Sequence, residues 1–240
     1  YAVREHMQRL ENSLEALHIS YFPTQDRLVE KMEYGIDACG FREVLVYIQV
    51  SRGVAPRHHE FPHPKSDPTL VMTFKELNRL PKELYENGVK VISLPDLRWG
   101  RCDIKSIALL PNVLAKQAAR EKGAFEALLV DQLDRVTEGS STSAFCVRNG
   151  VLYTAPQGRH ILPSVTRRIL IELAESMGLS VCESFSSLAE FKEADEVLLA
   201  GTTTEAVGVV ELDGVSIGGG RPGRVTRQLR AAFLQSIGAE

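Results

Sequence analysis

The sequence predicts an α/β protein of two domains, and three observations carry that reading. Stretches with apolar residues at helical spacing recur along the chain. Between them stand short runs rich in valine, isoleucine and leucine, of strand length or with strict alternation. The pattern is broken once by proline and charge, at Leu80-Pro81-Lys82, which sets the boundary between a domain of residues 1–80 and one of residues 81–240.

Taken in order, Val3, Met7, Leu10, Leu14 and Leu17 lie on one face of a first helix that the chain enters at its first residues. A second helix runs from about Arg27 to Cys39 and ends at Gly40. Val44, Val46, Ile48 and Val50 alternate with Leu45, Tyr47 and Gln49, the pattern of a strand buried on at least one face; Thr69 to Phe74 is a second strand. Beyond the break, Val89 to Leu94 and Ala127 to Val130 read as strands on either side of a helix that has Pro111 in its first turn and stops at Gly123. Asn149-Gly150 between Phe145-Cys146-Val147 and Val151-Leu152-Tyr153 signals a hairpin, because both turn positions need positive φ, and Glu138 is expected to enter it. Val165, Ile169, Leu170, Leu173 and Met177 form an amphipathic helix closed by Gly178, and Ser187-Leu188-Ala189-Glu190 has the spacing of a capping box. Val197 to Ala200 is a strand, Asp213-Gly214 a further turn, and a last helix begins at Val225. Gly218-Gly219-Gly220 lacks the lysine and hydroxyl residue of a phosphate-binding P-loop and reads as a turn.

Composition narrows the function. With 240 residues, 44% hydrophobic and 25% charged, the chain has enough apolar side chains for a sizeable core. A net charge of −3 offers no electrostatic attraction to nucleic acid. Neither a membrane span nor a secretory signal is evident. Cys39, Cys102, Cys146 and Cys182 are scattered without CxxC pairs, which points to reduced thiols and a cytoplasmic location rather than a disulfide framework or a zinc site.

His59-Glu60-Phe61-Pro62-His63 matches HExxH in letters only. Zinc chemistry needs that motif on a helix, and Pro62, with Pro56 and Pro64 around it, disfavours one. As a loop, the same stretch lets Arg57 and His59 clamp a carboxylate with charge-assisted hydrogen bonds.

The chemistry centres on Lys105. It ends a polar segment directly before the apolar run Ile107-Ala108-Leu109-Leu110. A lysine at the edge of an apolar core has its charged form disfavoured, so its amine can attack a carbonyl cofactor. Arg101-Cys102-Asp103-Ile104-Lys105-Ser106 resembles the lysine motif of the fold-type IV pyridoxal-phosphate enzymes, closest to the D-amino-acid transaminases. Val136-Thr137-Glu138-Gly139-Ser140-Ser141 is similar to the family's block for the pyridine nitrogen. Leu162-Pro163-Ser164-Val165-Thr166-Arg167 and Gly201-Thr202-Thr203-Thr204-Glu205 are similar to its two phosphate-cradling segments. The four blocks stand in the family's order. The chain departs from the family at Ser143, usually asparagine, and at Ala144, usually branched.

The resemblance implies a two-domain fold-type IV architecture, with a small N-terminal domain and a larger pseudo-barrel domain that binds pyridoxal 5'-phosphate. The strand segment that the family carries before the first helix, with a substrate-facing tyrosine, is not in the sequence, so the small domain is expected to be truncated at its front. Lys105 is the implied catalytic lysine and Glu138 the partner of the pyridine nitrogen. Arg9 (supported by His6), Leu162, Val165, Thr166 and Thr202 are the implied cofactor-holding residues, with Thr203 beside them. Tyr47, Arg57 and His59 are the implied substrate-binding residues, Arg57 and His59 reaching into the partner's site of a homodimer. The implied reaction is transamination of D-amino acids with a 2-oxo acid. The rivals are an L-branched-chain aminotransferase or an aminodeoxychorismate lyase of the same fold, and a non-catalytic remnant of it.

Overall fold

The computed structural model describes residues 1–19 and 23–238. The chain divides into two compact units, one of Val3–Asn78 and the other of Tyr1–Ala2 together with the chain from Arg79 onward.

The first unit pairs two helices with a hairpin-like sheet. Helix α1 spans Val3–Ala16 and α2 spans Gln25–Cys39, ended by Gly40 in the left-handed conformation at φ 72°. Strands β1 (Val44–Ser51) and β2 (Thr69–Glu76) pair antiparallel from Val44↔Glu76 to Ser51↔Thr69. The apolar face of each helix turns inward, so Met7, Leu28 and Met32 pack with Val46, Ile48, Leu70 and Met72. Residues 52–68 between the strands contain no helix, as the prolines require.

In the second unit, a short helix α3 (Lys82–Asn87), not legible in the apolar pattern, precedes β3 (Val89–Pro95). Helix α4 (Leu110–Glu121) crosses to β4 (Glu126–Val130), which lies parallel to β3. Then follow β5 (Val136–Gly139), β6 (Ser143–Arg148), β7 (Val151–Thr154), α5 (Val165–Ser176) and β8 (Ser180–Glu183). The capping box of Ser187 and Glu190 is formed and starts α6 (Leu188–Lys192). Strands β9 (Glu196–Gly201), β10 (Glu205–Leu212) and β11 (Val215–Ser216) and helix α7 (Arg224–Ser236) complete it.

The nine strands form one mixed sheet in the order β5-β4-β3-β10-β9-β6-β7-β8, with β11 on β10. Its two ends meet. Arg135, just before β5, bridges to Ser187, just after β8, and the Val136 N–H donates to the Ser186 carbonyl at 2.9 Å. The sheet thereby curls on itself as a pseudo-barrel. Both of its faces are buried: on β6, Ala144 and Cys146 face a cluster with Val91, Leu128 and Val207, while Phe145 and Val147 face α5 and α7 through Leu170 and Phe233.

One expectation is corrected here. The Asn149-Gly150 turn does join a hairpin, with φ of 50° and 76°, but it is the hairpin of β6 and β7. Glu138 lies outside it on β5, which pairs with β4 instead. The turn at Ser140–Thr142 leads the chain away from β5, so that β6 pairs with β9.

Phe145 is fully buried between the helices and the sheet. Phe145→Ala is expected to cost about 3–5 kcal/mol of stability, since the site cannot close around the lost ring. Guanidinium denaturation of the two proteins checks this.

Candidate active site

The loop from Asp96 to Leu109 joins β3 to α4 and carries Lys105. Its foot is fixed by the Asp96 N–H donating to the Val130 carbonyl at 2.7 Å and the Cys102 N–H donating to the Arg159 carbonyl at 2.9 Å. Ile104 is buried and Lys105 beside it is exposed. The apolar run that follows is exposed too, Ile107 at 69% and Leu110 at 70%. The expectation that an apolar core desolvates Lys105 is therefore corrected for the single chain: the run projects outward from the start of α4.

Arg98 is the hub of this loop, with only 5% of its side chain exposed. Its guanidinium grips Asp96 through two bonds, Nε to Oδ1 at 2.9 Å and Nη2 to Oδ2 at 2.7 Å. Nη1 donates to Glu138 Oε1, and Nη2 donates also to Thr137 Oγ1 at 3.2 Å and the His160 carbonyl at 3.0 Å. Burial raises the Asp96 carboxyl, but the bonds from Arg98 and Thr137 outweigh it and hold Asp96 below the ordinary carboxylate range. For Glu138 burial wins: it pushes the carboxyl up to about 6, against the pull of Arg98 and of the Leu162 N–H. The Leu162 N–H donates to both Glu138 oxygens, at 3.3 and 3.2 Å.

The turn after Glu138 is held by a second buried carboxylate. Glu126 is fully buried and accepts from the Ser140 hydroxyl, from the Ser141 N–H at 3.2 Å, from the Ser141 hydroxyl at 2.7 Å and from Thr142 Oγ1 at 3.3 Å. Lys116 Nζ stands 3.5 Å from Glu126 Oε1. Gly139 is required beside it, since a Cβ there would lie 2.2 Å from Thr142 Oγ1 and 3.1 Å from Glu126 Cγ.

Two more segments meet this corner. Ser164 caps α5 by accepting from the Arg167 N–H at 3.2 Å, and Val165 and Thr166 open the helix, whose first N–H groups have no carbonyl within the helix to bond. Thr166 is buried, its hydroxyl 2.8 Å from the Tyr1 hydroxyl. Arg167 is buried and donates to Thr154 Oγ1, the Ala155 carbonyl and Glu183 Oε2, which seats the start of the helix on β7 and β8. The loop of Thr202 and Thr203 leaves β9 at Gly201, whose Cβ position lies 3.8 Å from the Ser141 carbonyl. Thr202 and Thr203 are exposed and Thr204 is buried.

A family model for class IV amino-transferases matches residues 1–212. The chain belongs to the class IV aminotransferases. It is 37% identical over 237 residues to the D-alanine aminotransferase of Staphylococcus aureus (strain N315), covering 99% of this chain and 83% of that protein. With the D-alanine aminotransferase of Bacillus licheniformis it shares 36% identity over 241 residues, 100% of this chain and 84% of that one. The fold is that of solved branched-chain amino acid aminotransferases. The Escherichia coli branched-chain enzyme superimposes with a TM-score of 0.89 at 27% identity, over 98% of this chain and 79% of that one. A second branched-chain enzyme, from T.th. and solved with pyridoxamine 5'-phosphate, gives 0.89 at 27%, over 99% and 79%.

In this class IV aminotransferase, Arg98 of the lysine loop and the Leu162 N–H both bond Glu138, and Gly201, at the foot of the Thr202 loop, stands beside the Ser140–Thr142 turn that follows it. The remaining candidates belong to the first unit. There Arg9 on α1 is bonded to His6, Nη2 to Nδ1 at 3.2 Å. Tyr47 on β1 is exposed and donates to Gln49 Oε1 at 2.8 Å, and Arg57 and His59 lie on the exposed loop before β2. Among the described residues no group of His, Cys, Asp and Glu is arranged to hold a metal ion, and no helix is long and apolar enough to cross a membrane. All four cysteines are free thiols. Arg98, Asp96, Thr137 and Glu126 escaped the sequence reading. The three charged ones had a single signal, charge beside a predicted strand, where an unpaired charge is costly, and Thr137 had none.

The raised Glu138 carboxyl has a consequence for stability. The folded chain holds this proton more tightly than the unfolded one, so the unfolded chain loses it first as pH rises from about 4.5, and stability falls until the folded group has titrated near 6. Between about pH 4 and about pH 7 the wild type is expected to lose about 2 kcal/mol relative to Glu138→Gln. Arg98→Met carries the fall to higher pH, because the charge that lowers Glu138 is gone. Urea denaturation across that range reads both.

Proposed function

We propose that this chain transaminates D-amino acids such as D-alanine with a 2-oxo acid such as 2-oxoglutarate, using pyridoxal 5'-phosphate. The observation that carries the reading is that Arg98 of the lysine loop and Leu162, just before α5, both bond Glu138, with the foot of the Thr202 loop beside the turn that follows it. The residues present fit the cofactor. Glu138 is a buried carboxylate pushed up to about 6 and still anionic at neutral pH, suited to a pyridine nitrogen, and the α5 N-terminus suits a phosphate. Relatives named D-alanine aminotransferase along nearly the whole chain support the substrate class.

When bound, pyridoxal phosphate supplies a carbonyl for the substrate amine and a ring that accepts the electrons left on the α-carbon. Lys105 would hold the cofactor covalently and, once displaced by substrate, move the proton at the substrate α-carbon, which lies beside the released amine. Glu138 would keep a proton on the ring nitrogen, and Arg98 would keep Glu138 anionic and aimed. Val165, Thr166 and Thr202 would grip the phosphate with Arg9, whose planar fork matches two phosphate oxygens. The Leu162 N–H would steady Glu138. Arg57 and His59 would take the substrate carboxylate, with Tyr47 lining the pocket. In this reading residues 81–240 are the cofactor domain and residues 1–80 the small domain, acting in the cytoplasm.

Lys105→Ala is expected to abolish turnover and the covalent cofactor signal in the intact mass. A fully active variant ends the reading. D-alanine with 2-oxoglutarate is expected to react far faster than L-valine or L-leucine, and Arg57→Ala to weaken D-alanine binding. The reverse preference assigns the chain to the L-branched-chain group, whose solved members share its fold.

A homodimer is part of the proposal, supported by the exposed apolar side chains of one short stretch, Leu97, Ile107, Leu109, Leu110, Val113 and Leu114. A second copy would cover them and bring Arg57 and His59 to its partner's Lys105. Lys105→Ala and Arg57→Ala chains refolded together then rebuild one complete site per mixed dimer, so activity is expected to recover to about a quarter of wild type. No recovery places Arg57 in its own chain's site.

A further inference from the structure

Glu205 stands apart from every role given above. It is the first residue of β10, paired across the hairpin with Gly201, and so closes the loop that carries Thr202 and Thr203. Its φ is 56°, a left-handed conformation that glycine or asparagine adopts at much lower cost. It is also buried, an unusual place for a carboxylate. Its side chain is held at both oxygens. Arg79 Nη1 donates to Oε1 at 2.8 Å and Arg230 Nη2 to Oε2 at 3.0 Å, so each oxygen is held by an arginine from a different part of the second unit. Arg230 in turn stacks on the Tyr85 ring, 3.6 Å from its centre, and burial together with the Glu205 charge pushes the Tyr85 phenol up to about 12.

The geometry points to Glu205 as a positioning residue for phosphate recognition: its carboxylate, clamped between Arg79 and Arg230, sets the left-handed end of the hairpin and thereby holds the Thr202-Thr203 loop in place. This rests on the reading that this end of the sheet receives a phosphorylated pyridoxal cofactor. The charge of Glu205 opposes phosphate binding, because it cancels one of two adjacent arginines. Removing it would tighten an anion if charge alone mattered and loosen it if placement matters. The sign of the effect separates the two.

The experiment measures binding of pyridoxamine 5'-phosphate and of pyridoxamine to the full chain, by quenching of its single tryptophan, Trp99, in the lysine loop. Neither probe forms an imine with surface lysines, and their affinity ratio reports the phosphate contribution alone. In Glu205→Gln the ratio is expected to fall about tenfold, the lower end of what outer-shell partners contribute at metal sites, with pyridoxamine itself unchanged. Glu205→Asp keeps the charge and tolerates positive φ better, yet is too short to hold both arginines; its ratio is expected to fall in the same direction. This variant carries the test if Glu205→Gln does not fold by circular dichroism. A folded variant with an unchanged or increased ratio overturns the proposal while leaving the cofactor reading intact. A wild-type chain that binds both probes equally removes the phosphate site, and with it both readings.

Discussion

The site depends on one buried guanidinium. Arg98 joins the end of β3, the edge strand β5 and the segment leading to α5, and each attachment is a charged or carbonyl group that would otherwise be buried unpaired. Such a group is hard to replace. Removing one partner of a buried pair strands the other charge, typically at about 3–5 kcal/mol. Arginine suits the place because it offers several donors in a fixed plane and stays charged under any physiological condition. The same contact bears on the charge of Glu138, since it opposes the burial that raises that carboxyl.

Around that pair, carboxylates serve as anchors for backbone. Glu126 gathers three successive hydroxyls and one N–H of the turn after Glu138, and Glu196 does the same for the start of α7 by accepting from the Val225 and Thr226 N–H groups and the Thr226 hydroxyl. Each fixes an irregular segment that regular hydrogen bonding cannot fix. Loops that must hold a ligand are mobile unless tied in this way. In the second unit the Glu126 tie falls where β9 finishes and β6 begins, and the Glu196 tie falls at the other end of that strand pair.

The elements legible in the sequence were those governed by local rules. Gly40, Gly178, the Ser187–Glu190 box and Asn149-Gly150 lie where helix ends, caps and turns require them, because those conformations depend on residues a few positions apart. Glu138 and Lys105 stood out through their motif blocks, and the structure places the first on β5 and the second in the loop before α4. Glu138 was assigned to the wrong hairpin, because β5 pairs with β4 and the chain after it is turned by Glu126, on the neighbouring strand.

The sequence by itself determined the alternation of helices and strands and the chemical types available, since periodicity and residue chemistry are carried by neighbours along the chain. Only the tertiary structure decided which charges are buried and who answers them. It paired Arg98 with Glu138, bound the Ser140–Thr142 turn to Glu126, left Ile107–Leu110 exposed and joined β5 to the segment after β8. The physical reason is that burial and pairing are properties of packing between residues tens of positions apart, and no local pattern records them.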